Sequence, residues 1–243
     1  MAKGEGAGDQ FQRETQYHRD REPIEPRAAR RPSLYKSYGK AKTIPLDRPT
    51  IKGGEPLWDT IRARRSVRRY SGEPISLANL SQLLWATQGI TKGAGRDAFR
   101  AAPSAGGLYP VETYLVVHAV EGVERGVYHY GVEKHSLEQL KTGNFRAAMK
   151  RAALGQSIAG QAAAVFLFSA VFERSTCEYG QRAYRYVYLD AGHAAENLAL
   201  AASALGLVSC PVAAFYDEEL NALVDLDGQR ESVVYLTTVG KKG

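Results

Sequence analysis

The run Ala163–Phe172 narrows what this chain can become more than any other stretch. Every residue in it except Ser169 is apolar. It is too short to cross a membrane as a helix. Its centre, Val165-Phe166-Leu167-Phe168, is β-branched and aromatic. Such a run marks a central strand covered on both faces. Its sheet must then lie between layers of helix. Other β-type runs can join it: Val111–Val120, with Leu115, Val116 and Val117 at its centre, Gly126–Tyr130 as the hairpin partner of that run, and Ser232–Val239 at the end.

Helical spacing supplies the covering layers. Ser76 stands as an N-cap before Leu77, Leu80, Leu84 and Thr87, which predicts a helix over 77–88 stopped by Gly89. Residues 144–153 also look helical. The longest helical pattern runs from Gln181 to Leu205 and ends at Gly206; its many alanines predict close packing, either within the chain or against a symmetry mate. Asp217 is expected to cap a short helix through Val224. Helices and strands do not alternate as in a doubly wound sheet. The expected class is α+β, with a mostly antiparallel sheet flanked by helices.

The chain has 243 residues, enough for one large domain or two small ones. Residues 1–46 are polar and proline-bearing and are expected to form a partly disordered N-terminal arm before a folded domain over 47–243. Within the arm, 1–15 is expected to be a flexible tail, whereas the aromatic residues from Leu34 onward suggest a segment lying on the folded body or on a partner subunit. No apolar run is long enough to span a membrane, and the polar start does not look like a signal peptide, so the expected location is cytoplasmic. Cys177 and Cys210 are isolated and are expected to be free, buried thiols; the five histidines show no ligand spacing, so no metal is expected. The net charge of +6 favours anionic partners.

Five arginines fall within Arg62–Arg69. The segment follows Leu57, Trp58 and Ile61 and precedes Ser71-Gly72-Glu73-Pro74, so it is expected to be the last turn of a helix running into a short extended piece. Guanidinium groups and a hydroxyl in one bend suit a phosphate. A solvated basic face or a nucleic-acid patch fits the same spacing. No aromatic residue is interleaved before Tyr70, so nothing there would stack bases. G-x-G-x-x-G, Walker A and G-x-S-x-G are all absent. What remains is the arginine bend, the loop Pro103-Ser104-Ala105-Gly106-Gly107, the strand-end segment Cys210–Phe215 and the terminal Lys241-Lys242. Together these could hold a mononucleotide, if the chain brings them together.

At this point the residues resemble a known family. Arg64-Arg65-Ser66-Val67-Arg68-Arg69-Tyr70 is similar to the opening motif of the nitroreductase superfamily. Ala102–Glu112 and Arg182-Ala183-Tyr184-Arg185-Tyr186, followed by Asp190-Ala191-Gly192-His193, resemble its SagB-type dehydrogenase branch, as do Tyr17-His18 and Tyr35-Lys36 in the arm. The resemblance implies a nitroreductase-like fold, a homodimer, and FMN in the subunit interface. It implies that Arg64, Arg65, Ser66 and Arg68 hold the phosphate and part of the flavin, with Lys241 and Lys242 nearby. Pro103, Ser104, Ala105 and Gly107 would contact the cofactor from the other subunit, and Ala213 and Ala214 would offer backbone N–H groups to flavin N5. Tyr179 and Tyr184 are the candidate proton-transfer residues. Glu178-Tyr179 stands where azoline oxidases of this branch carry Lys-Tyr, which leans against that particular reaction. The implied activity is flavin oxidoreduction of a small molecule or peptide by hydride transfer through N5, with NAD(P)H a possible donor and neither nucleic acid nor membrane a partner. The alternative is a cofactor-free binding component of a peptide-modifying complex.

Overall fold

The computed structural model describes residues 6–19 and 32–243. Its strands are β1 (Lys42–Pro45), β2 (Ile90–Lys92), β3 (Phe99–Arg100), β4 (Val111–Val117), β5 (Gly126–Gly131), β6 (Ser136–Thr142), β7 (Ala164–Val171), β8 (Val208–Val212) and β9 (Glu231–Gly240). Its α-helices are α1 (Ala7–Glu14), α2 (Leu57–Ala63), α3 (Leu77–Gln88), α4 (Arg146–Ala152), α5 (Ile158–Gln161), α6 (Glu173–Tyr179), α7 (Ala183–Ala204) and α8 (Asp217–Leu223). Seven strands form one sheet in the order β1-β6-β5-β4-β7-β9-β8, and every neighbouring pair is antiparallel. β2 and β3 form a separate hairpin.

The apolar run is the middle of this sheet. β7 pairs with β4 on one side and β9 on the other. Side chains alternate across a strand, so the run feeds two cores. Phe166 and Phe168 pack with Leu80, Leu83 and Leu84 of α3 and with the alanine-rich face of α7 around Leu198. Val165 and Leu167 pack with Met149, Ile158 and Leu220 of α4, α5 and α8. A strand buried on both faces has no solvent side, which is why its sequence does not alternate with polar residues. The expected α+β class is the observed one.

Local details follow from sequence. The Ser76 hydroxyl accepts from Asn79 N at 3.1 Å and starts α3 where the capping signal puts it. α3 ends at Gly89, where the backbone turns extended, and only glycine fits there because a Cβ would lie 2.3 Å from Trp85 Cδ1. Asp217 is the first residue of α8 rather than its cap; Tyr216 occupies the cap position. β8 tolerates Pro211 because it is an edge strand.

Two expectations for the N-terminal arm change. Residues 7–14 are a helix, not a flexible tail, because the residues just after it are pinned to α7. Arg182 donates to Thr15 O at 2.7 Å, and Arg185 donates to Thr15 Oγ1 at 2.6 Å and to Gln12 O. Residues 1–5 of the expected tail lie outside the described residues. Further on, Lys42–Pro45 is the edge strand of the main sheet, so the folded body already includes part of 1–46. Lys36 reaches Glu231 of β9, and Ser37 and Tyr38 both donate to Glu138 of β6.

Candidate functional site

The arginine bend is shaped by what captures it. α2 ends at Ala63, and Arg64 leaves the helix with ψ of 125°. Ser66 then bridges to Ser209 of β8, and Val67 N donates to Ser209 O at 3.0 Å. Tyr70 bridges to Lys242, Ser71 N donates to Lys241 O at 3.1 Å, and Gly243 N donates to Arg69 O at 3.3 Å. The Tyr70 ring lies so close to β9 that a Cβ on Gly240 would stand 2.8 Å from it, and its hydroxyl meets Thr238 Oγ1 at 2.6 Å. The bend is thus stitched between β8 and the C-terminal residues.

This brings several expected residues to one edge of the sheet: Arg64, Arg65, Ser66, Arg68, Lys241 and Lys242. Arg64 Nε lies 3.5 Å from Glu196 of α7, and Lys241 Nζ 3.1 Å from Glu73. Arg65 donates to the carbonyls of Arg62 and Arg64, and Arg68 to that of Ser66; among the described residues neither pairs with a carboxylate. Arg62, by contrast, pairs with Asp59 at 2.9 Å on the surface. Ala213 and Ala214 follow the last residue of β8 and are exposed, with Ala214 O accepting from Gln156. Burial pushes the Cys210 thiol of β8 upward, and the Arg68 guanidinium opposes it, so Arg68 acts on the same strand.

The second part is the loop 103–107. Gly106 and Gly107 turn with φ of 63° and 64°. Ser104 Oγ donates to Asp190 Oδ2 of α7 at 2.6 Å and accepts from Tyr109 N at 2.9 Å, and Ala105 N donates to Asp190 Oδ1 at 3.3 Å. Burial pushes the Asp190 carboxyl upward against these hydrogen bonds. A Cβ on Gly106 would stand 2.4 Å from the Tyr179 hydroxyl, so this tyrosine lies directly against the loop. Tyr184 instead packs its ring on Phe172, with centroids 5.0 Å apart. A cleft of about 730 Å³ opens beside the loop, lined by Arg96, Phe99, Arg100, Pro103, Gly106 and Tyr109 among others.

The two parts do not meet within one chain in the way a single compact site would require. Arg64 contacts α7 at Glu196, and the loop contacts it at Asp190. Six residues of helix separate these positions by about 9 Å and roughly 240° of rotation. Bend and loop therefore sit on different sides of α7.

Sequence reasoning gave no individual role to three residues that build this geometry. Asp190 anchors the loop and Glu196 faces Arg64, as above. Arg174, almost fully buried, donates to Tyr109 O at 3.0 Å and to Ser33 O at 2.7 Å and pairs with Glu112 at 2.6 Å. An arginine in a short polar helix carries no local signal that it will be buried. Asp190 had one, an acid within the alanine-rich pattern of α7. Among the described residues there is no cluster of His, Cys, Asp and Glu fit to hold a metal ion, and no helix is long and apolar enough to cross a membrane.

Comparison with known proteins gives a consistent picture. Residues 61–241 match the Nitroreductase family. A protein of Methanocaldococcus jannaschii, described as "Putative nitroreductase MJ1384", is 40% identical over 186 residues, which is 76% of this chain and 91% of that one. The Microcin B17-processing protein McbC of Escherichia coli is 29% identical over 133 residues, 53% of this chain and 49% of that one. A crystal structure from Anabaena variabilis, described in the same words as the archaeal protein, superposes with a TM-score of 0.79 at 28% identity, covering 97% of this chain and 47% of the other. The chain thus spans about half the length of the latter two.

Proposed function

Because the chain belongs to the nitroreductase family, we propose that this oxidoreductase is FMN-dependent and that it works by hydride transfer through flavin N5. The observation that carries the reading is the stitching of the arginine bend to β8 and the C-terminal residues. It draws Arg64, Arg65, Ser66, Arg68, Lys241 and Lys242 to one edge of the sheet, and among the described residues Arg65 and Arg68 have only backbone acceptors. Guanidinium groups without carboxylate partners fit a dianionic phosphate, which offers them charge-assisted hydrogen bonds. The exposed, small Ala213 and Ala214 at the end of β8 fit the approach of a flat ring to backbone N–H groups.

When bound, FMN supplies the two-electron redox chemistry. The chain's own residues do the rest. Arg64, Arg65, Ser66 and Arg68 bind the phosphate, with Lys241 and Lys242 adding positive charge. Pro103, Ser104, Ala105 and Gly107 contact the cofactor of a partner subunit, since their loop lies on a different side of α7 from the bend. Asp190 fixes Ser104 for that purpose. Tyr179, against Gly106, holds the proton that the substrate gains or loses; Tyr184, stacked on Phe172, is the weaker candidate for that role. The likeness to McbC and the motifs around Ala102–Glu112 and Arg182–Tyr186 support a SagB-type dehydrogenase acting on a small molecule or peptide in the cytoplasm.

The purified protein should be yellow, with one FMN per chain. Arg64→Ala combined with Arg68→Ala should lose the flavin, whereas Arg62→Ala should keep it. A protein that fails to bind FMN, or one that loses it equally in all variants, overturns the reading. Anaerobic mixing with NADH and NADPH then separates a reductase, which bleaches rapidly, from a dehydrogenase, which does not.

A further inference from the structure

The docking of the N-terminal segment onto α7 has a chemical consequence beside Tyr179. Arg182 sits at the centre of it. Its guanidinium lies 4.8 Å from the centroid of the Tyr17 ring and 5.7 Å from that of Tyr186, and its Nε donates to the Tyr186 hydroxyl at 3.3 Å. The same side chain holds Thr15 O, which places Tyr17 two residues on. Tyr186 packs edge-on against Tyr179, with centroids 5.0 Å apart and planes at 84°. Tyr179 in turn touches Gly106 of the loop. Three phenols and a guanidinium are therefore contiguous, running from the N-terminal segment to the loop.

We propose that Tyr17, Arg182 and Tyr186 form a second proton-holding group beside Tyr179, so that the N-terminal segment is a working part of the active site and fixes which of the adjacent phenols carries the proton. The proposal rests on the reading that the loop 103–107 faces the flavin of a partner subunit.

The environments of the phenols differ in the sense this requires. Burial pushes Tyr17 upward, and its hydroxyl interaction with Tyr186 adds to that, so Tyr17 keeps its proton. Burial also pushes Tyr186 upward, but the hydrogen bond from Tyr17, the hydrogen bond and charge of Arg182, and the charge of Arg185 outweigh it, so Tyr186 ionises more readily than an ordinary tyrosine. Neighbouring phenols pushed apart in this way divide into an acid and a base. A phenolate at Tyr186 disfavours a second negative charge on the adjoining Tyr179. Tyr186 is thereby placed to bias which of the two adjoining phenols carries the proton. Tyr17, Arg182 and Arg185 act through Tyr186, and Tyr186 acts through Tyr179; they are positioning residues.

The test uses the full-length protein and two readouts. The first is a pH titration followed by tyrosinate absorbance, with and without FMN. The wild type should show one tyrosine ionising below the ordinary value of about 10. Tyr186→Phe should lose it. Tyr17→Phe and Arg182→Gln should move it up toward that ordinary value, and Arg182→Lys should restore part of the shift. The second readout is the pH dependence of quinone reduction by NADH, at equal flavin content. Its alkaline limb should move with the titration in each variant. Superimposable titrations of the wild type and Tyr186→Phe overturn the phenol pair. A titration that moves while the rate profile does not overturns its role in the site. A wild type that binds no FMN defeats the flavin reading instead, and the titration still decides whether the pair exists.

Discussion

Gly106 shows how a single backbone position holds this site together. Its φ of +63° lies in the left-handed region, and an added Cβ would stand 2.4 Å from the Tyr179 hydroxyl. Gly107 has nearly the same φ, yet a Cβ there would meet nothing within 4 Å. The two positions therefore separate backbone strain from contact with Tyr179. In stability, Gly107→Ala should cost only the strain, about 1–2 kcal/mol, with rates then compared at equal flavin content. Gly106→Ala should cost more and also displace Tyr179, so activity should fall out of proportion to stability. Urea unfolding with steady-state rates on both variants measures this, and equal effects at the two positions would show that Tyr179 does not depend on Gly106. The same residues show what a sequence can and cannot reveal. Glycines between prolines announced a loop, and the arginine run announced a cationic bend. That Tyr179 lies against one of those glycines, or that Ser66 pairs with Ser209, depends on contacts between residues remote in sequence, which no local pattern encodes.

Among the elements, β4, β5 and β6 carry a buried ionic row that ties the sheet to the segment before β1. Arg174 pairs with Glu112, Glu112 lies 3.1 Å from His129 Nε2, His129 Nδ1 lies 2.8 Å from Glu138, and Glu138 accepts from Ser37 and Tyr38. Burial pulls His129 down, but hydrogen bonds to Glu112 and Glu138 overcome it and hold the imidazole above its ordinary value. Its contribution to stability is complete below the unfolded value of about 6.5 and is lost as pH rises through the folded one. Burial pushes Glu112 up, but Arg174 and His129 bring it down to about 2. Its contribution is present above the unfolded value of about 4.3 and is lost as pH falls toward 2. Stability should therefore form a plateau between these limits and fall on both sides, and His129→Gln should flatten the alkaline fall. Denaturant midpoints across pH measure it; an unchanged alkaline slope in that variant would sink the assignment. Glu112→Gln leaves Arg174 buried without its anion and should cost about 3–5 kcal/mol. β6 and β1 went unread because Ser136–Thr142 is mostly polar and β1 has only four residues. β7, α3 and α7 were legible because burial on both faces, a capped apolar stripe and a long alanine-rich period each leave a strong local mark.

For the whole molecule, bend and loop are separated around α7, so a cofactor touching both would have to span two copies of the chain. The same side of the fold exposes apolar side chains that a monomer has no use for. Trp58 is 78% exposed, Leu57 58% and Ile61 47%, all on α2, and Tyr188 and Leu189 of α7 are also exposed. Leu57 and Ile61 are four residues apart and Trp58 and Ile61 three, so they share one helical face, and α2 packs against α7. We propose that a second copy covers this face, with the loop of one subunit toward the bend of the other. Aromatic residues at the centre of such an interface typically account for 2 kcal/mol or more, about thirtyfold in association. Trp58→Glu with Ile61→Glu should therefore turn a dimer into a monomer in light scattering while leaving the circular dichroism spectrum unchanged, because neither residue contributes to the core. If the cofactor spans two subunits, flavin retention should fall in step with the dimer fraction. A monomeric wild type that holds one FMN per chain would show instead that bend and loop serve different ligands, and that the apolar face of α2 has some other purpose.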